Sequence, residues 1–306
     1  MLALHIQNET DRLKAVVLGT AEQNGPTPKI EEAYDPKSAE HILAGTYPSE
    51  ENMTAEMDAF EKVLKKYDVT VYRPKIIPNV NQIFTRDIAF VIDDTLIKSN
   101  ILPDREAEIN AIEDVLQQIT PEKIVQTTPD THFEGGDVML WNEYVFVGYY
   151  SGADYKAQIT ARTNEKGVLF IKNQFPHKKV LAFDLIKSRT DARKNALHLD
   201  CVFQPVGNNK AIIHPEGFRN PNELQTLIKL FGKENLFVIS ADEMYQMYSN
   251  VFSIDTHVVV SERHFTRLNR WLREQGFTVE EIPYAEISKQ EGLLRCSTLP
   301  LIRERT

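Results

Sequence analysis

Apolar and polar positions along the chain alternate between two periods, which predicts strands connected by amphipathic helices. The apolar run over 13–19 ends at a glycine and is typical of a buried strand, and 69–72 alternates as a second strand. Helical spacing of apolar side chains predicts helices over 51–67, 105–119, 221–231 and 265–275. The segment 22–50 is rich in Pro, Gly, Glu and Ser, so it predicts a surface loop with room for one helical piece.

Five strand-like runs each begin with a polar or thiol side chain and recur about every 50 residues, a period typical of repeat architectures. The runs begin at Asp87, Asp137, Asp200, Asn250 and Cys296. Turn residues at 142–143 and 207–209 suit hairpins within them. The pattern predicts an α/β fold of five sheet-plus-helix units closed into a ring, with the strand starts facing a central axis. Because the last unit is short, 13–18 is expected to complete it. An open α/β sheet remains the alternative.

Composition and charge narrow the classes of function. The chain has 306 residues, 42% of them hydrophobic and 26% charged, which suits a globular protein with its own core. We predict a single catalytic domain over 1–306. The net charge of −9 argues against a nucleic-acid or anionic-membrane partner and is compatible with a site that binds a cation.

Cysteine usage and the absence of long apolar runs favour a cytoplasmic protein. With only Cys201 and Cys296, no disulfide framework is expected. No run approaches the roughly 18 apolar residues of a transmembrane helix, and 1–14 lacks a secretory apolar region. Cys201 lies inside an apolar run, so we expect it to be buried and inert.

The polar groups at the strand starts form a coherent chemical set if the ring closes. Cys296 supplies a nucleophilic thiolate, His198 a proton shuttle and Glu134 a carboxylate that can orient the imidazole. Asp87 and Asp200 remain, and paired carboxylates match the planar N–H donors of a guanidinium. The set therefore predicts chemistry on a guanidinium carbon.

Four motifs in a fixed order carry a family resemblance. They are Phe-Thr-Arg-Asp at 84–87, Phe-Glu-Gly-Gly-Asp at 133–137, Leu-His-Leu-Asp at 197–200 and Leu-Leu-Arg-Cys-Ser-Thr-Leu-Pro-Leu at 293–301, with Asn-Val at 250–251 before the last. From about residue 13 to 303 the chain resembles the guanidino-group modifying enzymes. That superfamily contains arginine deiminases, dimethylarginine dimethylaminohydrolases and amidinotransferases.

The resemblance implies a five-fold pseudosymmetric α/β propeller and a covalent mechanism. In it Cys296 would attack the guanidinium carbon and form a thiouronium. His198 would protonate the leaving amine and then activate water or an incoming amine. Glu134 would orient His198. No metal and no organic cofactor are implied, and the eight histidines show no metal-type spacing.

The resemblance also implies a set of substrate-binding residues. Asp87 and Asp200 would hold the guanidinium nitrogens, and Phe84 would pack on the flat face of the substrate. Asn250 and Asp137 are expected beside them, although Asp137 could equally brace the Gly-Gly turn that precedes it.

Two arginines match residues that hold the substrate carboxylate in arginine deiminases, namely Arg162 and Arg105. The position of a third is Glu291 here, and the residue before the nucleophile is Arg295. An anion in place of a cation predicts a weaker hold on a substrate carboxylate, with Arg295 as a candidate replacement. The branch of the superfamily therefore stays open at this point.

We expect a hydrolase acting on the guanidino group of arginine or an arginine derivative. The alternative is an amidinotransferase that passes the amidino group to an acceptor amine. A third alternative comes from another class of function. Ribosome anti-association factors share the propeller without the catalytic residues, so the chain could be a non-catalytic binding protein. The expected partner is a small cationic guanidino substrate, with homo-oligomerisation left open.

Overall fold

The computed structural model describes residues 1–305, which form five three-stranded sheets. The fifteen strands are β1 (Arg12–Leu18), β2 (Thr70–Tyr72), β3 (Ala89–Ile92), β4 (Thr95–Lys98), β5 (Ile124–Gln126), β6 (Val138–Trp141), β7 (Tyr144–Tyr149), β8 (Lys179–Asp184), β9 (Phe203–Val206), β10 (Lys210–Ile213), β11 (Leu236–Val238), β12 (Phe252–Ser253), β13 (Val258–Glu262), β14 (Thr278–Ile282) and β15 (Thr298–Glu304).

The helices are short, and most of them lie between the second and third strands of a sheet. They are α1 (Pro36–Leu43), α2 (Glu50–Lys66), α3 (Thr85–Ile88), α4 (Glu113–Leu116), α5 (Glu165–Gln174), α6 (Pro221–Phe231), α7 (Ala241–Tyr245) and α8 (Thr266–Glu274). Helix α1 lies within 22–50, where the sequence predicts a surface loop with one helical piece.

All five sheets repeat one topology. In each, an antiparallel pair is followed by a helical segment and a third strand parallel to the second, giving the orders β3-β4-β5, β6-β7-β8, β9-β10-β11, β12-β13-β14 and β15-β1-β2. The fifth sheet joins the two ends of the chain, with Arg12 opposite Glu304 and Leu18 opposite Thr298. This closure confirms the predicted five-fold pseudosymmetric α/β propeller.

The hairpin turns lie at the residues predicted from the sequence, 142–143 and 207–209. Asn142, Asn208 and Asn209 have positive φ angles of 55°, 60° and 57°. Asparagine tolerates this left-handed backbone better than most residues do, so the chain reverses tightly between β6 and β7 and between β9 and β10. The tight reversal fixes the strand pairing and hence which residue precedes each unit.

Two local expectations need correction. The helix predicted over 105–119 is a 3-10 segment over Pro103–Ile112 followed by α4. With three residues per turn, a 3-10 segment puts Arg105 and Glu108 on one side, where they form an ion pair of 2.8 Å. The polar strand starts also lie just before the strands, since Asp87 is in α3 and Asp200 in the 3-10 turn Leu199–Cys201.

Candidate active site

The site is assembled from the short segments that precede the first strand of each unit. Asp87 comes from α3, Glu134 from the residue before the turn Gly135–Asp137, and His198 from the residue before the turn Leu199–Cys201. Asn250 precedes β12 and Cys296 precedes β15. Because the five units surround one axis, groups more than 200 residues apart in sequence meet there.

A cavity of about 720 Å³ opens onto these groups. Its lining includes Phe84, Asp87, His198 and Cys296. Glu134, Asp200 and Asn250 are fully buried and contact lining residues from within the protein. The cavity therefore presents a thiol, an imidazole, a carboxylate and an aromatic ring to one ligand.

The Cys296 thiol is held by Asn250 and lies beside a carboxylate. Asn250 Nδ2 donates to Sγ at 3.2 Å, and Asn250 Oδ1 accepts from the Cys296 backbone N–H at 3.2 Å. Asp200 Oδ2 lies 3.7 Å from Sγ. Burial, together with the charges of Asp200 and Asp87, raises the pKa of the Cys296 thiol well above its ordinary value. The empty site therefore favours the thiol over the thiolate.

The imidazole of His198 lies between two carboxylates. Its Nε2 is 2.8 Å from Glu134 Oε2, and its Nδ1 is 3.8 Å from Asp87 Oδ1. Burial disfavours the imidazolium, but the charges of Asp87 and Glu134 outweigh burial and raise the pKa of His198. This ring is suited to carry a proton into the cavity.

The close approach of His198 explains one glycine of the Gly-Gly turn. A Cβ on Gly136 would lie 2.7 Å from His198 Cγ and Nδ1, so no larger residue fits without moving the ring. Asp137, in the same turn, accepts from Thr163 Oγ1 at 2.6 Å and from the Leu199 N–H at 2.9 Å. Through these contacts Asp137 joins two units, which suits one of its two expected roles, and its role in substrate binding stays a prediction.

Glu134 is charged because Arg162 pairs with it. Arg162 Nη1 donates to both Glu134 oxygens at 3.2 and 3.1 Å, while its Nε and Nη2 donate to the carbonyls of Ile159 and Tyr34. Burial works against the charged form, but Arg162 and His198 outweigh it and hold the pKa of Glu134 well below its ordinary value. All three donor groups of Arg162 are engaged.

Arg105 is engaged in the same way. Its Nε and Nη2 donate to the two oxygens of Glu108 at 2.8 and 2.9 Å, and Nη1 donates to Asp87 Oδ2 at 3.1 Å. The other oxygen, Asp87 Oδ1, is buried and has no hydrogen-bond partner. Burial raises the pKa of Asp87, against the lowering effect of His198 and Arg105. A buried acceptor without a donor is the feature that a guanidinium N–H would satisfy.

Arg295 does not enter the cavity, so it does not replace the missing cation. Its Nε and Nη2 donate to Glu9 at 3.2 and 3.1 Å, its Nη1 donates to Asp200 at 2.9 Å, and Nη2 also donates to the Val138 carbonyl at 2.7 Å. Burial disfavours the charged form of Glu9, but Arg295 outweighs it and lowers the pKa of Glu9 to about 2. Nothing in the sequence around Glu9 indicated this role.

One set of side chains in residues 1–305 also has the geometry to hold a cation. Ligand atoms of Asp87, Glu134 and His198 all lie within 4.8 Å of one another. Two carboxylates and one imidazole could bind a metal ion. Arg105 and Arg162 already neutralise these carboxylates, so a metal would have to compete with two guanidinium groups.

Comparison with known families shows which family the chain belongs to. A family model described as N,N dimethylarginine dimethylhydrolase, eukaryotic, matches residues 44–303. The chain belongs to this family. It is therefore a member of the guanidino-group modifying enzymes, which confirms the resemblance drawn from the four motifs and the assignment as an enzyme.

Related sequences include bacterial proteins. The chain is 30% identical over 225 residues to the uncharacterized protein YkgA of Bacillus subtilis, covering 72% of this chain and 70% of that protein. It is 28% identical over 267 residues to an arginine deiminase of Listeria welshimeri, covering 74% of this chain. The match spans 63% of the deiminase, less than two thirds of its length.

Solved structures share the propeller. The N-terminal domain of ArgZ, an arginine dihydrolase from cyanobacteria, superposes in its product-bound form with a TM-score of 0.77 at 17% identity, covering 96% of this chain and 98% of that one. The inosamine-phosphate amidinotransferase StrB1 of Streptomyces griseus superposes with a TM-score of 0.74 at 17% identity, covering 100% and 98%. Both likenesses establish the fold of this family member. Within 1–305, none of the helices is both long and apolar enough to cross a bilayer.

Proposed function

We propose that the enzyme hydrolyses the guanidino group of arginine or an arginine derivative through a covalent thiouronium on Cys296. The observation that carries the proposal is the convergence of Cys296, His198 and Asp87 on one cavity, where Asp87 Oδ1 is a buried acceptor without a donor. A guanidinium supplies planar N–H donors and a positive charge to such a site. The covalently bound reaction intermediate described for the N-terminal domain of ArgZ supports the same chemistry on this fold.

The substrate itself promotes formation of the thiolate. Asp87 and Asp200 raise the pKa of Cys296 in the empty site, and a guanidinium held between them cancels that effect. Cys296 then releases its proton to solvent, and the thiolate attacks the guanidinium carbon and forms a C–S bond. As the C–N bond to the leaving group breaks, His198 donates a proton to the departing amine.

Hydrolysis of the intermediate uses the same imidazole. Having lost its proton, His198 accepts one from water, and the resulting hydroxide attacks the thiouronium carbon while the C–S bond breaks. The overall reaction consumes one water and yields a ureido product and an amine or ammonium. Glu134 keeps the His198 ring oriented through its 2.8 Å contact, and Arg162 keeps Glu134 charged.

The test is turnover of a panel of guanidines, with mass spectrometry of the protein during turnover. A ureido product and an adduct on Cys296 that disappears as substrate is exhausted are expected. Addition of an acceptor amine distinguishes the amidinotransferase, which would make a new guanidine at the expense of ureido product. Binding without either product would favour the non-catalytic reading and overturn the proposal.

A further inference from the structure

Lys187 directs its ammonium group to the backbone immediately before His198. Its Nζ donates to the carbonyls of Ala196 and Leu197, both at 2.7 Å. These two residues belong to no helix or strand, and within 1–305 no backbone N–H donates to either carbonyl. Main-chain acceptors inside a protein need a donor, and here one side chain supplies it to two successive peptide groups.

The ammonium acts on the end of the connection that leads into the site. Lys187 lies near the start of 185–197, which connects β8 to His198. The two ends of this connection are joined by the main chain itself, since the Ala196 N–H donates to the Ile186 carbonyl at 2.9 Å. The bonds from Nζ act one step further along, on the peptide groups that lead directly into His198.

The backbone on the other side of His198 is held by a carboxylate. Asp137 Oδ1 accepts from the Leu199 N–H at 2.9 Å. Burial lowers the pKa of Lys187, and the charge of Asp137 opposes that shift, so the two groups act on each other across this segment. His198 is therefore fixed on both sides, by an ammonium at the two preceding carbonyls and by a carboxylate at the N–H that follows.

The His198 ring has little room to compensate for a displacement of its backbone. Its Nε2 lies 2.8 Å from Glu134 Oε2, and a Cβ on Gly136 would lie 2.7 Å from its Cγ. In so closely packed a place, a shift of the main chain moves the ring relative to Glu134 and to the cavity. A misplacement of about 1 Å at a reacting group can slow a reaction on the order of a hundredfold.

We propose that Lys187 is a positioning residue for proton transfer, whose ammonium holds the backbone that places His198 where it can protonate the leaving amine. The inference rests on the proposed function and adds a residue that does not line the cavity. Because Lys187 acts through His198, its loss weakens protonation of the leaving group and leaves the attack by Cys296 largely intact.

The test compares two substrates that differ in their need for a proton. The first is the guanidine that the enzyme turns over best, which loses an amine and requires protonation. The second is its S-alkyl isothiourea analogue, which loses an alkyl thiol that can depart as the thiolate. Both yield the same thiouronium and the same ureido product. The barrier measured by kcat/KM includes departure of the leaving group, so the ratio of the two values reports on proton donation.

Lys187→Met removes the ammonium at similar side-chain length. It is expected to lower kcat/KM for the guanidine by about tenfold or more and that for the isothiourea by less than about threefold, since general acid catalysis contributes at least on the order of a hundredfold. Lys187→Arg, which keeps the charge and the donors, should retain most of the wild-type ratio. The matched control is Lys194→Met, the same change at an exposed position of the same connection, which should leave the ratio unchanged.

A purely structural role gives a different result. Equal losses for the two substrates in Lys187→Met, or no loss for either, would overturn the inference. If Lys187→Met does not fold, Lys187→Gln takes its place, because its shorter neutral side chain still fits a polar position. A folded Lys187→Gln enzyme with the wild-type ratio would overturn the inference as well.

The wild-type enzyme separates this inference from the proposed function. If no guanidine and no isothiourea gives a ureido product or an adduct on Cys296, the proposed function fails and takes the inference with it. Turnover of the guanidine with no thiol released from the isothiourea would overturn the inference alone, because departure would then depend on something other than protonation. Turnover of both, with a ratio that Lys187→Met lowers, supports the inference.

Discussion

Arg295 Nη1 donates a 2.9 Å hydrogen bond to Oδ2 of Asp200, the same oxygen that lies 3.7 Å from the Cys296 sulfur. The residue that precedes the candidate nucleophile therefore compensates the carboxylate beside it. The two carboxylate oxygens of Glu9 accept hydrogen bonds from Nε and Nη2 of Arg295. The three charges form a buried chain behind the cavity wall, in which Arg295 pairs with both carboxylates.

Replacing Arg295 by methionine should destabilise the fold strongly. It removes the hydrogen bonds that Arg295 donates to the buried carboxylates of Glu9 and Asp200, and breaking a buried pair in this way typically costs about 3–5 kcal/mol. Urea denaturation of the wild type and Arg295→Met measures the difference, with the exposed Arg305→Met as the matched control. Adding Glu9→Gln to Arg295→Met should recover part of the loss. A loss below about 1 kcal/mol, the size expected of a surface pair, would contradict the role given to Arg295.

The two cysteines should differ completely in function. Cys296 lines the cavity, whereas Cys201 is 1% exposed within the hydrophobic core. Cys296→Ala is expected to abolish turnover, and Cys201→Ala to keep most of it because a methyl group fills most of a thiol's place. Steady-state rates and mass spectrometry with a slow guanidine or amidine substrate check this. An adduct on Cys201, or full activity in Cys296→Ala, would refute the assignment.

The pH dependence of Cys296 alkylation should reveal the suppressed thiolate. Burial, Asp200 and Asp87 raise its pKa above the ordinary value of 9.0, so the reactive thiolate accumulates only above that pH. The rate of modification by iodoacetamide should still be rising at pH 9 in the free enzyme. In Asp87→Asn the rise should occur at lower pH, because one of the two carboxylates is gone. A plateau below pH 7 in the wild type would indicate a thiolate already paired with His198.

The sequence predicted the architecture because the five units repeat. Periodicity located 13–18 and 69–72 as strands, and the short last unit implied the pairing that Arg12–Leu18 makes with Thr298–Glu304. The same logic brought Asp87, His198 and Cys296 into one cavity. Each of these conclusions depends on position within a repeat, which a sequence records directly.

What the sequence did not predict depends on side-chain pairing in three dimensions. Arg162 lines the cavity and its expected hold on a substrate carboxylate stays a prediction, but the sequence did not indicate that it also donates to Glu134 and two carbonyls. Arg295 was a candidate cation for the cavity, but Glu9 and Asp200 hold it behind the wall. A guanidinium pairs with whichever acids the fold brings near, and that choice leaves no local signal.

Removal of metal should leave catalysis intact. The Asp87, Glu134 and His198 atoms are close enough to hold an ion, but the guanidinium carbon is already electrophilic and the proposed mechanism uses His198 as a proton carrier. Dialysis against a chelator is expected to leave the rate unchanged. Zinc at excess should instead inhibit. It would bind the His198 imidazole, which the mechanism needs as a proton carrier, and would take the place of the guanidinium beside Asp87. Loss of activity on dialysis that zinc or manganese restores would overturn the mechanism.

Substituting Glu291 should stabilise the empty enzyme, with a sign that depends on pH. The pKa of Glu291 is raised in the folded protein, so the unfolded chain loses this proton first as the pH increases. The stability contributed by Glu291 is therefore present below its ordinary pKa of 4.5 and is lost as the pH rises toward the folded value. Glu291→Gln removes that loss and can still accept from Asn195 through its amide oxygen.

At pH 8 we expect Glu291→Gln to unfold with a free energy about 1–3 kcal/mol above that of the wild type, the usual cost of a buried group left unsatisfied. Near pH 4.5 the difference should shrink, because both chains are then uncharged at this position in the folded state. Urea denaturation at the two pH values measures this, and Glu216→Gln supplies the control for loss of one surface charge. A variant less stable than the wild type at pH 8 would show that the Glu291 charge is already paired in the free enzyme.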